Sequence, residues 1–251
     1  MEITINKVTI HKYFNNVNIK FEYSEITGFI GKNYNKLLDE IVYNNIKFNI
    51  KDLNQIKNNY FGYINKNLDF FTNNVYDEIL LYINRAVVTI KDVDKRIDKV
   101  LKMFLIDKEI LNKKISELSN GEKRMLKYII TVIYNPNIIF IDEPYLYLDF
   151  NHKKIINNVL YELKNKYNKT IVIGSNNSNI IYSLCDKVLL VSNNKTLYGN
   201  KHDIFRVNNL NKYHIEIPDL MKFSLLAKKK NKDINYFTDI RDLIKEVYRN
   251  V

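Results

Sequence analysis

The sequence predicts an α/β protein built on a mostly parallel sheet, with an antiparallel β part at its amino end and a small helical extension at its carboxy end. Three observations predict this. Residues 2 to 30 alternate apolar and polar side chains (Ile3, Ile5, Val8, Ile10, then Val17, Ile19, Phe21, Tyr23), the period of half-buried strands. Ile138, Ile139, Phe140 and Ile141 form a short all-apolar run, as expected of a strand covered on both faces of a parallel sheet. From Ile26 to Val191 strand-like and helix-like periods alternate, which is the signature of βαβ construction.

The elements follow in order. Ile26 to Ile30 reads as a strand running into Gly31 and Lys32, and the spacing from Lys36 to Ile41 turns helical. Val93, Ile97, Val100, Leu101 and Phe104 mark a helix between Lys91 and Phe104, with Thr89 or Asp92 as its cap. Leu126, Ile129, Ile130 and Ile133 mark another after Gly121, stopped before Pro136. A helix is expected from about Asn151 to Tyr167, a strand at Thr170 to Ile173, a helix near Asn179 to Leu184 and a strand at Lys187 to Val191. From Asp203 the chain becomes a basic, mostly helical tail with Pro218, Lys228, Lys229, Lys230 and an amphipathic stretch from Thr238 to Tyr248.

Composition bounds the function. A chain of 251 residues with 46% hydrophobic and 13% aromatic content has ample material for a core and does not read as disordered. Its single cysteine, Cys185, allows no internal disulfide and reads as a small apolar core residue. The net charge of +11 favours an anionic partner: nucleotide, nucleic acid or lipid headgroups. No basic amino-terminal segment leads into an apolar stretch, and no apolar run approaches the roughly 18 residues of a membrane span, so any membrane association is expected to be peripheral.

The chemistry-bearing feature is the order of two patterns, Leu118-Ser119-Asn120-Gly121-Glu122-Lys123-Arg124 and then Ile138-Ile139-Phe140-Ile141-Asp142-Glu143-Pro144. A strand ending in Asp-Glu puts two carboxylates at its carboxyl end, the edge where open α/β sheets bind ligands. Asp142 is expected in a magnesium shell, and Glu143, one residue on, is the candidate catalytic residue that orients or deprotonates an attacking water. The plain alternative is an acidic pair that merely ends a buried strand.

These motifs resemble those of ABC-family ATPases: an LSGGQ-like signature, a Walker B strand and a following loop, Tyr145 to Asp149, whose Asp149 matches the D-loop aspartate. The resemblance implies that Ser119 and Gly121, with Asn120 in place of a glycine and Glu122 beside them, serve the γ-phosphate of ATP held by an opposite subunit, at a helix amino-terminus suited to an anion. Phe61 to Asn67 leading to Thr72 to Ile79 is similar to the Q-loop region of energy-coupling-factor (ECF) transporter ATPases, and Ile215 to Leu220, Phe223 to Lys229 and Thr238 to Val247 resemble their carboxy-terminal extension.

Departures from the family pattern fall on one side of the site. A phosphate-binding loop needs G-x-x-x-x-G-K-[ST], so that backbone N–H groups face the phosphates while lysine and a hydroxyl reach phosphate and metal. Gly31-Lys32-Asn33-Tyr34-Asn35-Lys36-Leu37 lacks the second glycine and is one residue short if Lys36 is the lysine, with Leu37 where the hydroxyl belongs; shifted by one residue it regains the length but puts Leu37 at the lysine position, so the cradle is damaged either way. Lys66 stands at the Q-loop glutamine, where it would repel magnesium, and Asn176 stands at the switch histidine. His152 and His202 read as solvent-facing side chains, and Tyr13 is the candidate for stacking on adenine.

The resemblance thus implies an ABC nucleotide-binding domain over 1–205, with a helical subdomain at about 67–120 and a carboxy-terminal extension over 206–251. It implies ATP and Mg2+ as cofactors and a heterodimer with a second, intact ABC ATPase subunit. A transmembrane coupling protein and a substrate-binding membrane component would be further partners, at the cytoplasmic face of the cell membrane. Two other readings stand beside it: a regulatory or nucleic-acid-associated ABC ATPase, disfavoured by the lack of a second cassette or long heptad arms, and a non-hydrolytic scaffold subunit.

Overall fold

The computed structural model describes residues 2–10, 14–43, 48–50, 61–85, 92–192, 195–206, 210–229, 237 and 240–249. Strands β1 (Glu2–Ile10), β2 (Phe14–Glu22) and β4 (Phe48–Ile50) form a sheet in the order β2-β1-β4. Three residues separate β1 from β2, a connection that fits only an antiparallel pair, because a parallel one needs a crossover of about a dozen residues.

The remaining elements divide between two compact units. The first comprises Met1–Thr4, Lys20–Ser24 and Phe48–Val172. Its strands β5 (Phe61–Ile64), β6 (Ile138–Asp142) and the start of β7 (Thr170–Gly174) lie in that order, with β5 parallel to β6. Every residue of β6 is buried, as an all-apolar strand requires. Phe140 receives the edges of Phe21 and Phe61, with ring centroids 6.4 and 6.1 Å away. Helices α2 (Val75–Arg85) and α3 (Val93–Met103) and two 3-10 turns (Lys108–Asn112 and Ile115–Glu117) lie in the segment expected to be helical. Asp92 occupies the N-cap position of α3, although its side chain makes no capping bond.

Helix α4 (Asn120–Tyr134) buries a wide face that includes Met125, Leu126, Ile129, Ile130 and Ile133. It ends where Asn135 turns left-handed (φ 61°) and returns its amide to Thr131 and Val132, one residue before Pro136. Arg96 and Lys169 complete that terminus by donating to the carbonyls of Val132 (2.7 Å) and Asn135 (3.3 Å). Helix α5 (Phe150–Asn165) follows β6 and buries Ile156, Val159, Leu160 and Leu163.

The second unit comprises Ile5–Ile19, Glu25–Lys47 and Ile173–Val251. There the end of β7 neighbours β3 (Ile26–Ile30), β3 pairs parallel with β8 (Lys187–Ser192), and β8 pairs antiparallel with β9 (Lys195–Asn200). Helix α6 (Ser178–Leu184) packs so closely on β3 that a Cβ at Gly28 would lie 2.6 Å from Ile181 and 2.9 Å from the Cys185 sulfur. Cys185 is wholly buried, as expected of an apolar core residue. After β9 come α7 (Lys201–Ile204) and, in the tail, α8 (Asp219–Lys229) and α9 (Ile240–Arg249). Asn179 of α6 and Asp219 of α8 exchange two hydrogen bonds of 2.8 Å, which fasten the extension to the rest of its unit. Among the described residues, no helix is long and apolar enough to cross a membrane.

Candidate nucleotide site

The first unit carries the signature, the carboxylates and the Q-loop position. Strand β6 delivers Asp142 at its last residue, and Glu143 then takes a left-handed conformation (φ 50°) that turns the chain out of the sheet. Two tight turns follow, Leu146 N–H to Glu143 and Leu148 N–H to Tyr145, and the chain enters α5 at Asp149. Asp149 caps that helix by accepting the His152 amide (2.8 Å), which holds its carboxyl below the usual range. His152 is half-buried with its Nδ1 3.0 Å from Asp149, so it is not the simple solvent-facing side chain expected. His202 differs likewise: in the second unit it shares a 3.0 Å hydrogen bond with the Tyr182 hydroxyl.

Ser119, Asn120, Gly121 and Glu122 begin α4. Ser119 accepts the Glu122 amide (3.2 Å), while the Glu122 carboxylate accepts the Ser119 amide and hydroxyl, both at 2.9 Å. This reciprocal capping box lowers the Glu122 pKa through the Ser119 amide bond and stiffens the helix start. A Cβ on Gly121 would lie 3.2 Å from the Tyr147 carbonyl, so the glycine lets α4 approach the turn after β6. Ser119 and Asn120 are exposed.

Strand β5 brings in Lys66. Ile64 pairs with Ile141, so the residues just beyond β5 lie beside the end of β6. The Lys66 ammonium stands 3.4 Å from Asp142 Oδ2, and that carboxylate is 7% exposed. Asp142, expected to serve a magnesium shell, is therefore ion-paired within the chain. In the second unit Leu37 is completely buried in core. Among the described residues no cluster of three or more His, Cys, Asp or Glu could hold a metal ion. The Lys66 ammonium sets a like charge against any divalent cation at Asp142, and on that chemistry the residues beside this carboxylate do not fit one.

Arg124, inside the signature-like motif but with no role legible from the sequence, organises the site. Its guanidinium is fully buried, donates to the carbonyls of Asp142 and Glu143 at 2.8 Å each, and also bonds the carbonyl of Asn65, the residue before Lys66. One turn on, the Tyr128 hydroxyl donates to the Pro144 carbonyl (2.8 Å), and burial pushes its pKa up. The available signal was a cation and a phenol four residues apart on a helix that is otherwise apolar on its inner side. Beyond Lys66, Glu78 accepts the Phe71 and Thr72 amides (3.0 and 2.8 Å) and Lys127 bonds the Asp69 carbonyl.

The second unit carries the altered phosphate loop. Strand β3 ends at Ile30 and α1 (Tyr34–Tyr43) begins four residues later, so only Gly31, Lys32 and Asn33 connect them. Helix was expected from Lys36; its start at Tyr34 places Lys36 inside the first turns, exposed, and not in a loop. Gly31 (φ 115°) lies where a side chain would overlap the Val191 carbonyl. Its amide donates to Asn176 Oδ1 (3.2 Å), so the asparagine at the switch position holds the first N–H of the loop. Tyr34 is buried against Gly174, where any Cβ would collide with its ring. Tyr13 lies outside the described residues.

A family profile described as ABC transporter matches residues 14–146, more than half of the chain. The chain belongs to the ABC transporter family. Among curated relatives, this ABC chain is 32% identical over 133 residues to an ABC transporter ATP-binding protein of Methanocaldococcus jannaschii, covering 53% of this chain and 50% of that one. It is 26% identical over 190 residues to an energy-coupling factor transporter ATP-binding protein, EcfA2, of Caldanaerobacter subterraneus, covering 75% of this chain and 66% of that one. The ABC chain thus spans between half and two thirds of the length of these two relatives. Its fold is similar to cbiO1 from Clostridium perfringens, described as part of the ABC transporter complex cbiONQ (TM-score 0.67, 18% identity, 90% of this chain and 98% of that one).

Proposed function

We propose that this ABC chain is an ATP-binding subunit of an ECF-type importer, whose own phosphate loop is degenerate and whose signature completes the ATP site of a second, intact ABC ATPase subunit. The contrast between its two ends carries the reading. The α4 amino-terminus is capped, exposed and built with Ser119 and Gly121, whereas the β3–α1 connection has three residues and its leading amide is held by Asn176. A phosphate ring needs several successive amides facing inward, and three residues supply too few. In this reading 1–205 forms the nucleotide-binding domain and 206–251 the extension.

ATP and Mg2+ would be held by the partner's loop, with Ser119, Asn120, Gly121, Glu122 and Asp149 meeting the nucleotide from this side. The Asn120 and Gly121 amides and the positive end of α4 would offset charge on the γ-phosphate. Glu143 would contribute only where a nucleotide enters this chain's own half. The complex would engage a transmembrane coupling protein and a substrate-binding membrane component from the cytoplasmic face, powering uptake of a vitamin or trace metal. Likeness to the ECF transporter ATP-binding proteins supports that assembly.

Ser119→Asp tests the trans role, because aspartate caps a helix about as well as serine but sets a negative charge against the incoming phosphate. The purified complex should lose some thermal stability, because the Ser119 hydroxyl bond to Glu122 gives way to two facing carboxylates, but stay assembled and lose at least about tenfold in ATPase rate, roughly 1.4 kcal/mol of transition-state stabilisation. An unchanged rate refutes the role of the signature in the partner's site.

A further inference from the structure

The ion pair of Lys66 and Asp142 bears on the metal chemistry of this chain's own half-site. The inference rests on the reading above that this half is altered. Three features on separate elements put the ammonium there. The β5–β6 register sets Ile64 beside Ile141. The buried guanidinium of Arg124 grips the Asn65 carbonyl, the peptide bond just before Lys66, together with the carbonyls of Asp142 and Glu143. The Asp142 carboxylate is more than nine-tenths buried, whereas the lysine reaches it from a partly exposed position.

We propose that the Lys66 ammonium is a built-in monovalent cation that stands at Asp142 in place of a divalent metal, so that this chain's own carboxylate end takes up no divalent cation. A buried carboxylate requires a positive partner. Lys66 meets that requirement within the chain at 3.4 Å. A divalent ion on the same oxygen would lie within a few ångströms of a like charge. Glutamine at this position would leave the carboxylate open to metal; lysine closes it. The half-site then holds its charge balance whether or not nucleotide is present.

Manganese binding to the full chain, read by electron paramagnetic resonance, tests this with Mn2+ alone as the probe. Wild type should bind Mn2+ no more tightly than Asp142→Asn does. Lys66→Gln should gain one site at least about tenfold tighter than wild type, lost again in the Lys66→Gln, Asp142→Asn double variant, and Lys66→Arg should remain like wild type. An Asp142-dependent Mn2+ site in wild type overturns the proposal, as does Lys66→Gln with no gain or Lys66→Arg binding as Lys66→Gln does. Should Lys66→Gln not fold, the comparison of wild type with Asp142→Asn still decides. A failure here leaves the Ser119 test of the partner's site standing, so the two readings fall separately.

Discussion

Arg124 holds Asp142 by the backbone: the guanidinium of α4 donates to the carbonyl of the residue whose carboxylate ends β6, at 2.8 Å. The same head reaches the Glu143 and Asn65 carbonyls, so one buried side chain ties the signature helix, the end of the Walker B strand and the Q-loop position to each other.

Arg124→Met should cost about 3 kcal/mol, because one buried and two part-buried carbonyl bonds lose a charged donor and an apolar side chain returns none of them. Arg124→Lys should recover only part, since an ammonium lacks the planar fork. The midpoint of urea unfolding measures both, and a loss under about 1 kcal/mol would refute the clamp.

Gly31→Ala should destabilise the protein by at least about 2 kcal/mol, through the positive φ and through overlap with the Val191 carbonyl. Gly199→Ala serves as the control, since a Cβ there meets only Ile204 at 3.6 Å. Equal unfolding midpoints for the two variants would contradict the geometry.

Lys169→Met should raise stability at pH 7. Burial, then repulsion by Arg96, lowers the Lys169 pKa to about 8 from an ordinary 10.5, so the folded chain holds this proton at a cost near neutrality. Because the depressed lysine sheds its charge as pH rises past 8, the gain from methionine should be largest at pH 7 and shrink toward pH 10. Loss of the 3.3 Å hydrogen bond to the Asn135 carbonyl offsets part of this, leaving a gain of about 1 kcal/mol. Urea midpoints across that range check it, and a gain that grows with pH would show the sign to be wrong.

His202 should make the protein less stable in mild acid. Burial, then Lys201 and Arg206, lowers its pKa below 6.5, despite the opposing Asp203. Protonation therefore favours the unfolded chain, and stability present above pH 6.5 is lost as pH falls through the depressed value. His202→Gln should flatten the decline between pH 7.5 and 5.5 by less than about 1 kcal/mol. Identical slopes for variant and wild type would exclude the histidine as its source.

Much of this was legible in the chain. The run Ile138 to Ile141 could only be a strand buried on both faces, and the apolar spacing from Leu126 to Ile133 described α4 before Pro136 closed it. What escaped depended on partners distant in sequence. Strand β9 is a short polar segment with little alternation, paired only because β8 lies beside it. Lys66 was expected to repel magnesium, but its pairing with Asp142, 76 positions away, required the β5–β6 register. Arg124 lay inside a quoted motif, yet no periodicity tells whether a cation on a buried helix face points at carbonyls or at solvent. The start of α1 at Tyr34 was hidden because the lysine of the expected loop drew the helix two residues late.

Counting tightly bound ATP on the purified complex of this chain with its partner ATPase tests the central claim most directly. The account predicts one ATP per heterodimer, lost when the partner's loop is altered and unaffected by changes at the exposed Lys32 and Lys36. Two equivalent ATP molecules, or normal turnover by this chain as a homodimer, would contradict it.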